Sequence, residues 1–165
     1  MNEIVALFRR LTLGVYVIGV ADGKRRDAFT AAWVMQTSFD PLLLALSINP
    51  DNASHPLLHA GGGFTVNVLK QGQEDLARRF GTRSGRDEDK LAGVSWRPGR
   101  TGAPVLQDSL AYFDCKLTGR LAAGDHEVVL GRVADGAILD PSARPLTYAD
   151  TGDMDESSDL YPEKL

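Results

Sequence analysis

The chain of 165 residues has one cysteine, Cys115, so no internal disulfide can staple it and the fold must hold by packing. With a single thiol and three scattered histidines, His55, His59 and His126, no metal site is expected. Positive charge is in the minority: 18 Lys and Arg stand against 22 Asp and Glu, a formal charge of −4 that argues against a nucleic-acid or anionic-membrane surface. Any cation at work here should serve a small anion locally. Long apolar runs are missing too, the longest falling far short of a bilayer's thickness. The opening MNEIVALFRR sets Glu3 ahead of the apolar segment and two arginines behind it, the reverse of a secretory leader, so a cytoplasmic protein is expected. Repeats, low-complexity blocks and βαβ alternation are absent. Ala60 to Gly63 is glycine-rich but precedes a strand pattern instead of opening a helix, so a nicotinamide cofactor would have to bind without a Rossmann fold.

A hydrophobic content of 43% with 24% charged residues is that of an ordinary soluble globule, expected as one domain over residues 1–165 with an acidic tail from about 149. A chain of this length can bury roughly two-thirds of its unfolded surface. Strand patterns dominate: Val15 to Val20, Phe29 to Ser38, Leu42 to Leu46, Phe64 to Val68, Ala111 to Ala122 and His126 to Leu139. Asp22-Gly23 and Ala123-Gly124-Asp125 are the hairpin turns between them. Helical spacing is confined to residues 3–11, through Ile4, Leu7, Phe8 and Leu11, and to Gln73 to Phe80, where Arg78 and Arg79 form either a solvated face or a phosphate contact. The polar run Gly81 to Lys90 reads as a mobile surface loop, and Trp96 to Pro104 as irregular chain. Many short strands with regular turns point to a closed or nearly closed β-barrel. Cys115, beside Phe113 and Leu117, reads as a buried strand position.

The densest stretch runs from Phe29 to His59. Thr30, Ala31 and Ala32 ahead of Trp33 give a strand whose small side chains leave its backbone open to approach. A second strand follows the Asp40-Pro41 turn and ends in Ser47, Ile48 and Asn49. Pro50, Asp51 and Asn52 then break the chain, and Ser54 stands where a helix N-cap belongs, ahead of His55 and Pro56. A helix start beside polar strand ends favours an anion, through its N–H groups and its dipole.

The string TAAWVMQTSFDPLLLALSINPDNASHPLL resembles the core of the flavin reductase-like family of FMN-binding split barrels. The resemblance continues through FTVNVL (64–69), LARRF (76–80), TGAPVL (101–106), DCKL (114–117) and GDH (124–126), and so covers Gly14 to about Tyr148. It implies a mainly β, Greek-key split barrel with a few short peripheral helices, binding FMN and using NAD(P)H as co-substrate to reduce flavin by hydride transfer. A non-enzymatic FMN electron carrier serving a protein partner is the alternative. A homodimer with flavin at the subunit seam is implied, and an oxygenase or other electron acceptor as partner. Residue by residue, the resemblance lays Thr30, Ala31, Ala32 and Trp33 along the isoalloxazine ring. It sets Ser38, with Thr37, and Ser47, Ile48 and Asn49 near the ribityl chain and pyrimidine edge. Ser54 and His55 would meet the phosphate, and His126, as the catalytic position, the nicotinamide. Each has a plainer reading: Thr30 as a strand former, Ser54 as a cap only, Trp33 as core or dimer filling, His59 as a helix-surface residue, His126 as a hairpin-mouth histidine. Two departures stand out, Arg25-Arg26-Asp27-Ala28 in place of an Asn-containing approach to the Thr, and an acidic end in place of a basic, aromatic one.

Overall fold

The computed structural model describes residues 2–165; Met1, the first residue of the expected domain, lies outside them. Helix α1 (Glu3–Phe8) starts where the Asn2 side chain accepts from the Ile4 N–H at 2.9 Å. It stops at Phe8, short of the expected residue 11, because only Ile4 and Val5 find the core while Leu7, Phe8 and Leu11 stay exposed. The order continues β1 (Tyr16–Asp22), β2 (Arg25–Ala31), β3 (Val34–Ser38), β4 (Leu43–Ile48), α2 (His55–Gly61), β5 (Gly63–Val68), α3 (Glu74–Thr82), β6 (Trp96–Pro98), β7 (Pro104–Leu106), β8 (Ala111–Ala123) and β9 (His126–Ile138). The expected turns close the two hairpins, with Gly23 at φ +60° and Gly124 at φ +65°, a region glycine enters without a Cβ penalty.

Seven strands form one antiparallel sheet in the order β2-β1-β5-β8-β9-β4-β3, while β6 and β7 pair separately. The expected single strand from Phe29 to Ser38 is in fact two, and they lie at opposite edges of this sheet. Only Ala32 and Trp33 join them, so the two edges can stand at most about 11 Å apart. A seven-stranded sheet whose edges come that close is rolled into a barrel, left split along one seam. The core agrees: Phe29 of β2 shares a cluster with Leu44, Leu46 and Ile48 of β4, with four strands between them in the sheet order, around Phe64, Val66 and Val129. Leu58 plugs the same cluster from α2, which lies against β1. Two bulges in the β8–β9 ladder, one at Ala134 of β9 opposite Asp114 and Cys115 and one at Thr118 of β8 between Leu117 and Gly119, supply the bend.

A second cluster, under α3, joins Val15, Val17, Ala77, Phe80, Leu91 and Leu146. It accounts for two further departures. The expected loop over 81–90 begins as the last turn of α3 and ends in buried Lys90 beside buried Leu91, which anchors it. The stretch 96–104, expected as irregular, is the β6–β7 hairpin, because buried Asn67 accepts from the Leu106 N–H at 2.8 Å and donates to the Pro104 carbonyl at 3.2 Å. The acidic tail packs as well: Tyr148 and Met154 touch the second cluster, Asn2 donates to the Pro162 carbonyl at 2.8 Å, and the Phe8 and Tyr161 rings lie 5.5 Å apart. Among the described residues no helix is long and apolar enough to cross a membrane.

Candidate functional site

The seam positions the site. Among the described residues neither β2 nor β3 has a strand beyond it, so backbone groups of both face the gap. Ala31 and Ala32 are half-buried there and Trp33 is half exposed, its carbonyl accepting from the Ser47 N–H at 3.0 Å. Thr30 donates from Oγ1 to the Ala77 carbonyl at 2.7 Å, which ties α3 to β2. Small side chains at 30–32 thus do two things: they let α3 pack and they leave the strand edge open.

Thr30 also lines a cleft of about 250 Å³, with Asp51, Asn52 and Ala53 on one wall and Arg83, Ser84, Gly85 and Arg86 on the other. Both walls are shaped by local hydrogen bonds. Asn49 Oδ1 accepts from the Asp51 N–H and Asn52 Oδ1 from the Ser54 N–H, each at 2.9 Å. Arg86 reaches across, donating from Nη2 to the Asp51 carbonyl at 2.9 Å. Arg83 has only an exposed ion pair with Glu88 at 3.4 Å. Beneath the cleft, buried Asp27 accepts from Ser54 Oγ at 2.8 Å and from the Ala28 N–H at 2.8 Å, and Lys90 Nζ lies 3.7 Å from it. Burial lowers the Lys90 ammonium from its usual value, while the Asp27 carboxylate pulls it back up. Only glycine fits at position 85, since a Cβ would strike the Asp27 carboxylate.

These contacts already engage the two residues of the expected phosphate dock. Ser54 sits at the N-cap position but makes no side-chain cap bond; it is fully buried, and its hydroxyl is spent on Asp27. The Ser54 and His55 N–H groups are held by the Asn52 side chain and carbonyl. His55 turns to the other side, placing Nε2 3.1 Å from Glu127 Oε1. The polar and cationic groups at the cleft come instead from Asn52, Arg83, Ser84 and Arg86, which sequence reasoning missed. The available signal was three cations in GTRSGRDEDK, a cluster in a chain otherwise short of positive charge. Of the α3 arginines, Arg78 is exposed while Arg79 clamps the Lys90 carbonyl at 2.8 Å and the Ala92 carbonyl.

Further along the seam, Thr37 is exposed on β3 and Ser38 follows a bulge, while Ser47 is half-buried on β4. Ile48 belongs to the core, so only its backbone can meet a ligand, and Asn49 Oδ1 is engaged in its own turn. His126 opens β9 with its ring centroid 4.9 Å from that of Trp33, bringing together two residues far apart in the sequence. Its Nδ1 lies 2.7 Å from Asp125 Oδ1, which leaves Nε2 for a ligand. The same contact holds the Asp125 carboxyl below the usual range. His59 is not a plain surface residue: it is half-buried and meets the same Glu127 oxygen as His55. Cys115 is fully buried, and that burial, with Asp114 nearby, pushes its thiol up to about 12, so it stays protonated and inert.

Comparison with known proteins gives a family match and a consistent set of neighbours. The model of the flavin reductase like domain matches residues 8–156. A high molecular weight rubredoxin of Moorella thermoacetica is 38% identical over 141 residues, 84% of this chain and 61% of that protein. Diflavin flavoprotein A 1 of Synechocystis is 32% identical over 130 residues, 78% of this chain and 23% of that protein. The chain therefore spans between about a quarter and three-fifths of the length of the curated relatives it matches. Among solved structures, the Streptomyces globisporus NADH:FAD oxidoreductase SgcE6 superposes with a TM-score of 0.83 at 28% identity, covering 90% of this chain and 88% of that one. An FMN-binding protein from Thermus thermophilus superposes with a TM-score of 0.75 at 30% identity, covering 82% and 78%.

Proposed function

Because the chain belongs to the flavin reductase-like domain family, we propose that it holds FMN along the seam, with the phosphate in the cleft below, and reduces it with NAD(P)H. The cleft carries the reading. Two guanidiniums, Arg83 and Arg86, a hydroxyl, Ser84, and an amide, Asn52, converge on a space continuous with Thr30 at the seam. Forked donors of this kind match a phosphate's oxygens, and they outnumber Asp51, the carboxylate on the cleft's lining. The ring-edge contacts fall to backbone groups of Ala31 and Ala32, with Ser38, Thr37 and Ser47 toward the polar edge. Bound FMN supplies the hydride acceptor, so no side chain has to act as nucleophile or base. Trp33 and His126 flank the open ring face, where His126 Nε2 is set to hold the carboxamide of the nucleotide and fix its angle of approach.

A second copy of the chain completes this proposal. Trp33, Met35, Phe39 and Leu42 are exposed in sequence along β3 and the turn after it, and Leu121 is exposed on β8. An edge strand carrying that much apolar surface is a liability in a monomer and an interface in a dimer. A cytoplasmic setting fits the single unpaired thiol.

The matching region of the rubredoxin and of the diflavin flavoprotein is a part of a longer chain, which favours a second reading, an FMN electron carrier that serves a protein partner. Anaerobic mixing of the FMN-loaded protein with NADH, then with NADPH, separates the two. Bleaching of the flavin within seconds by either nucleotide is the expected outcome. Flavin that stays yellow with both, yet bleaches with dithionite, would leave the carrier.

A further inference from the structure

The side chains of His55, His59 and Glu127 form a cluster outside the cleft proposed for the flavin phosphate. His55 and His59 stand one turn apart on α2, at the i, i+4 spacing that places two imidazoles on the same helix face. Both point at β9, where Glu127 follows His126 in sequence and projects to the opposite face of the strand. The potential ligand atoms of all three lie within 4.8 Å of one another. His55 Nε2 is 3.1 Å and His59 Nε2 2.5 Å from the same carboxylate oxygen, Oε1. The imidazole rings meet edge to face with centroids 4.5 Å apart.

A tetrahedral ion with bonds of about 2.0–2.2 Å holds neighbouring ligand atoms roughly 3.3 Å apart. The His55 pair is already near that spacing, and the His59 pair needs to open by less than about 1 Å. All three side chains are about four-fifths buried, at 20%, 21% and 16% exposure, so little solvent competes for them. Among the described residues the one Lys or Arg paired with Glu127 is Arg120, exposed and 4.0 Å from the other oxygen, Oε2. Oε1 is thus the oxygen on which both imidazoles converge.

From this arrangement we infer that His55, His59 and Glu127 bind a divalent transition cation of the Zn²⁺ type, with water in the fourth position. Two imidazole nitrogens and one carboxylate oxygen suit such an ion better than Mg²⁺ or Ca²⁺, which take oxygen ligands. The ion would replace two hydrogen bonds with three coordinate bonds and lock α2 onto the start of β9. The inference does not rest on the flavin proposal, since the ligands lie outside the cleft.

The test is isothermal titration of Zn²⁺ into the full chain after treatment with a chelator, with and without FMN present. One ion per chain should bind with a Kd on the order of 1 µM or tighter, and thermal melting should shift upward with added Zn²⁺. His59→Gln and Glu127→Gln should each weaken binding by on the order of tenfold or more and abolish the melting shift. His126→Gln, which breaks the separate His126–Asp125 pair, should leave both unchanged. Absence of saturable binding to the wild-type chain, or equal affinity in wild type and His59→Gln, would overturn the assignment and leave a hydrogen-bonded His-Glu-His pin.

Discussion

Arg86 bridges the walls of the cleft through the Asp51 carbonyl and also lines the space between them. Arg86→Ala should cost FMN affinity about 1.5–3 kcal/mol, the worth of a charge-assisted hydrogen bond, and cost riboflavin much less because it lacks the phosphate. Titrating both flavins into the variant checks this, and equal losses would move the phosphate elsewhere. Ser54 behaves differently. Its hydroxyl supports buried Asp27, so Ser54→Ala should lower stability by about 1–3 kcal/mol, read from urea denaturation. His126→Ala should slow flavin reduction by roughly a hundredfold while changing flavin affinity little, as expected for a group that orients the nucleotide. At this scale the sequence showed which residue types gather near the seam, Thr30 to Trp33 and His126 among them. It did not show where hydroxyls point. Ser54 looks the same on paper whether it faces a ligand or a carboxylate 27 positions earlier, and that difference is why the proposed dock rests on Arg83 and Arg86.

Strands and turns were legible wherever alternation and glycine coincide, as at Asp22-Gly23 and along the β8–β9 hairpin. The break between β2 and β3 was not, because Ala31-Ala32-Trp33 carries no proline or glycine and alternation runs straight through it. The strand changes partner there for a tertiary reason, the closing of the barrel. Short β6 and β7 were hidden by Pro98 and Pro104, which sit at the hairpin's mouth, and are held by Asn67 from another strand. Helix α2 shows how tightly such elements seat. A Cβ at Gly61 would lie 1.7 Å from the Ala21 carbonyl oxygen of β1, a backbone atom that cannot step aside. Gly61→Ala should therefore push α2 off the barrel and destabilise the protein by about 1–3 kcal/mol or more, seen as a lower urea midpoint with an unchanged slope.

Across the molecule, carboxylates are held by donors more than they are repelled. Glu127 by its histidines, Asp140 by Lys70 and Ser142, Asp150 by Thr147, and Asp153 by Ser158 are all lowered from their usual values. A carboxyl whose folded value lies below the unfolded one, about 3.9 for Asp and 4.3 for Glu, adds stability that is complete well above those values. That contribution disappears as pH falls through the lowered folded values, because the unfolded chain then binds more protons. Urea midpoints should hold steady from neutral pH to about 5 and drop below about 4, and Glu127→Gln should flatten part of that limb.

The two-residue link between Ala31 and Val34 also separates tightness of grip from resistance to melting. Lengthening it by a Gly-Ser pair doubles the connection, which costs only about 0.6 kcal/mol in closure entropy and leaves every ladder intact. The rims it joins would nevertheless be free to drift. Such a chain should melt nearly where the parent does yet release its flavin far more readily, so this short tether acts as the tuning peg of the cradle.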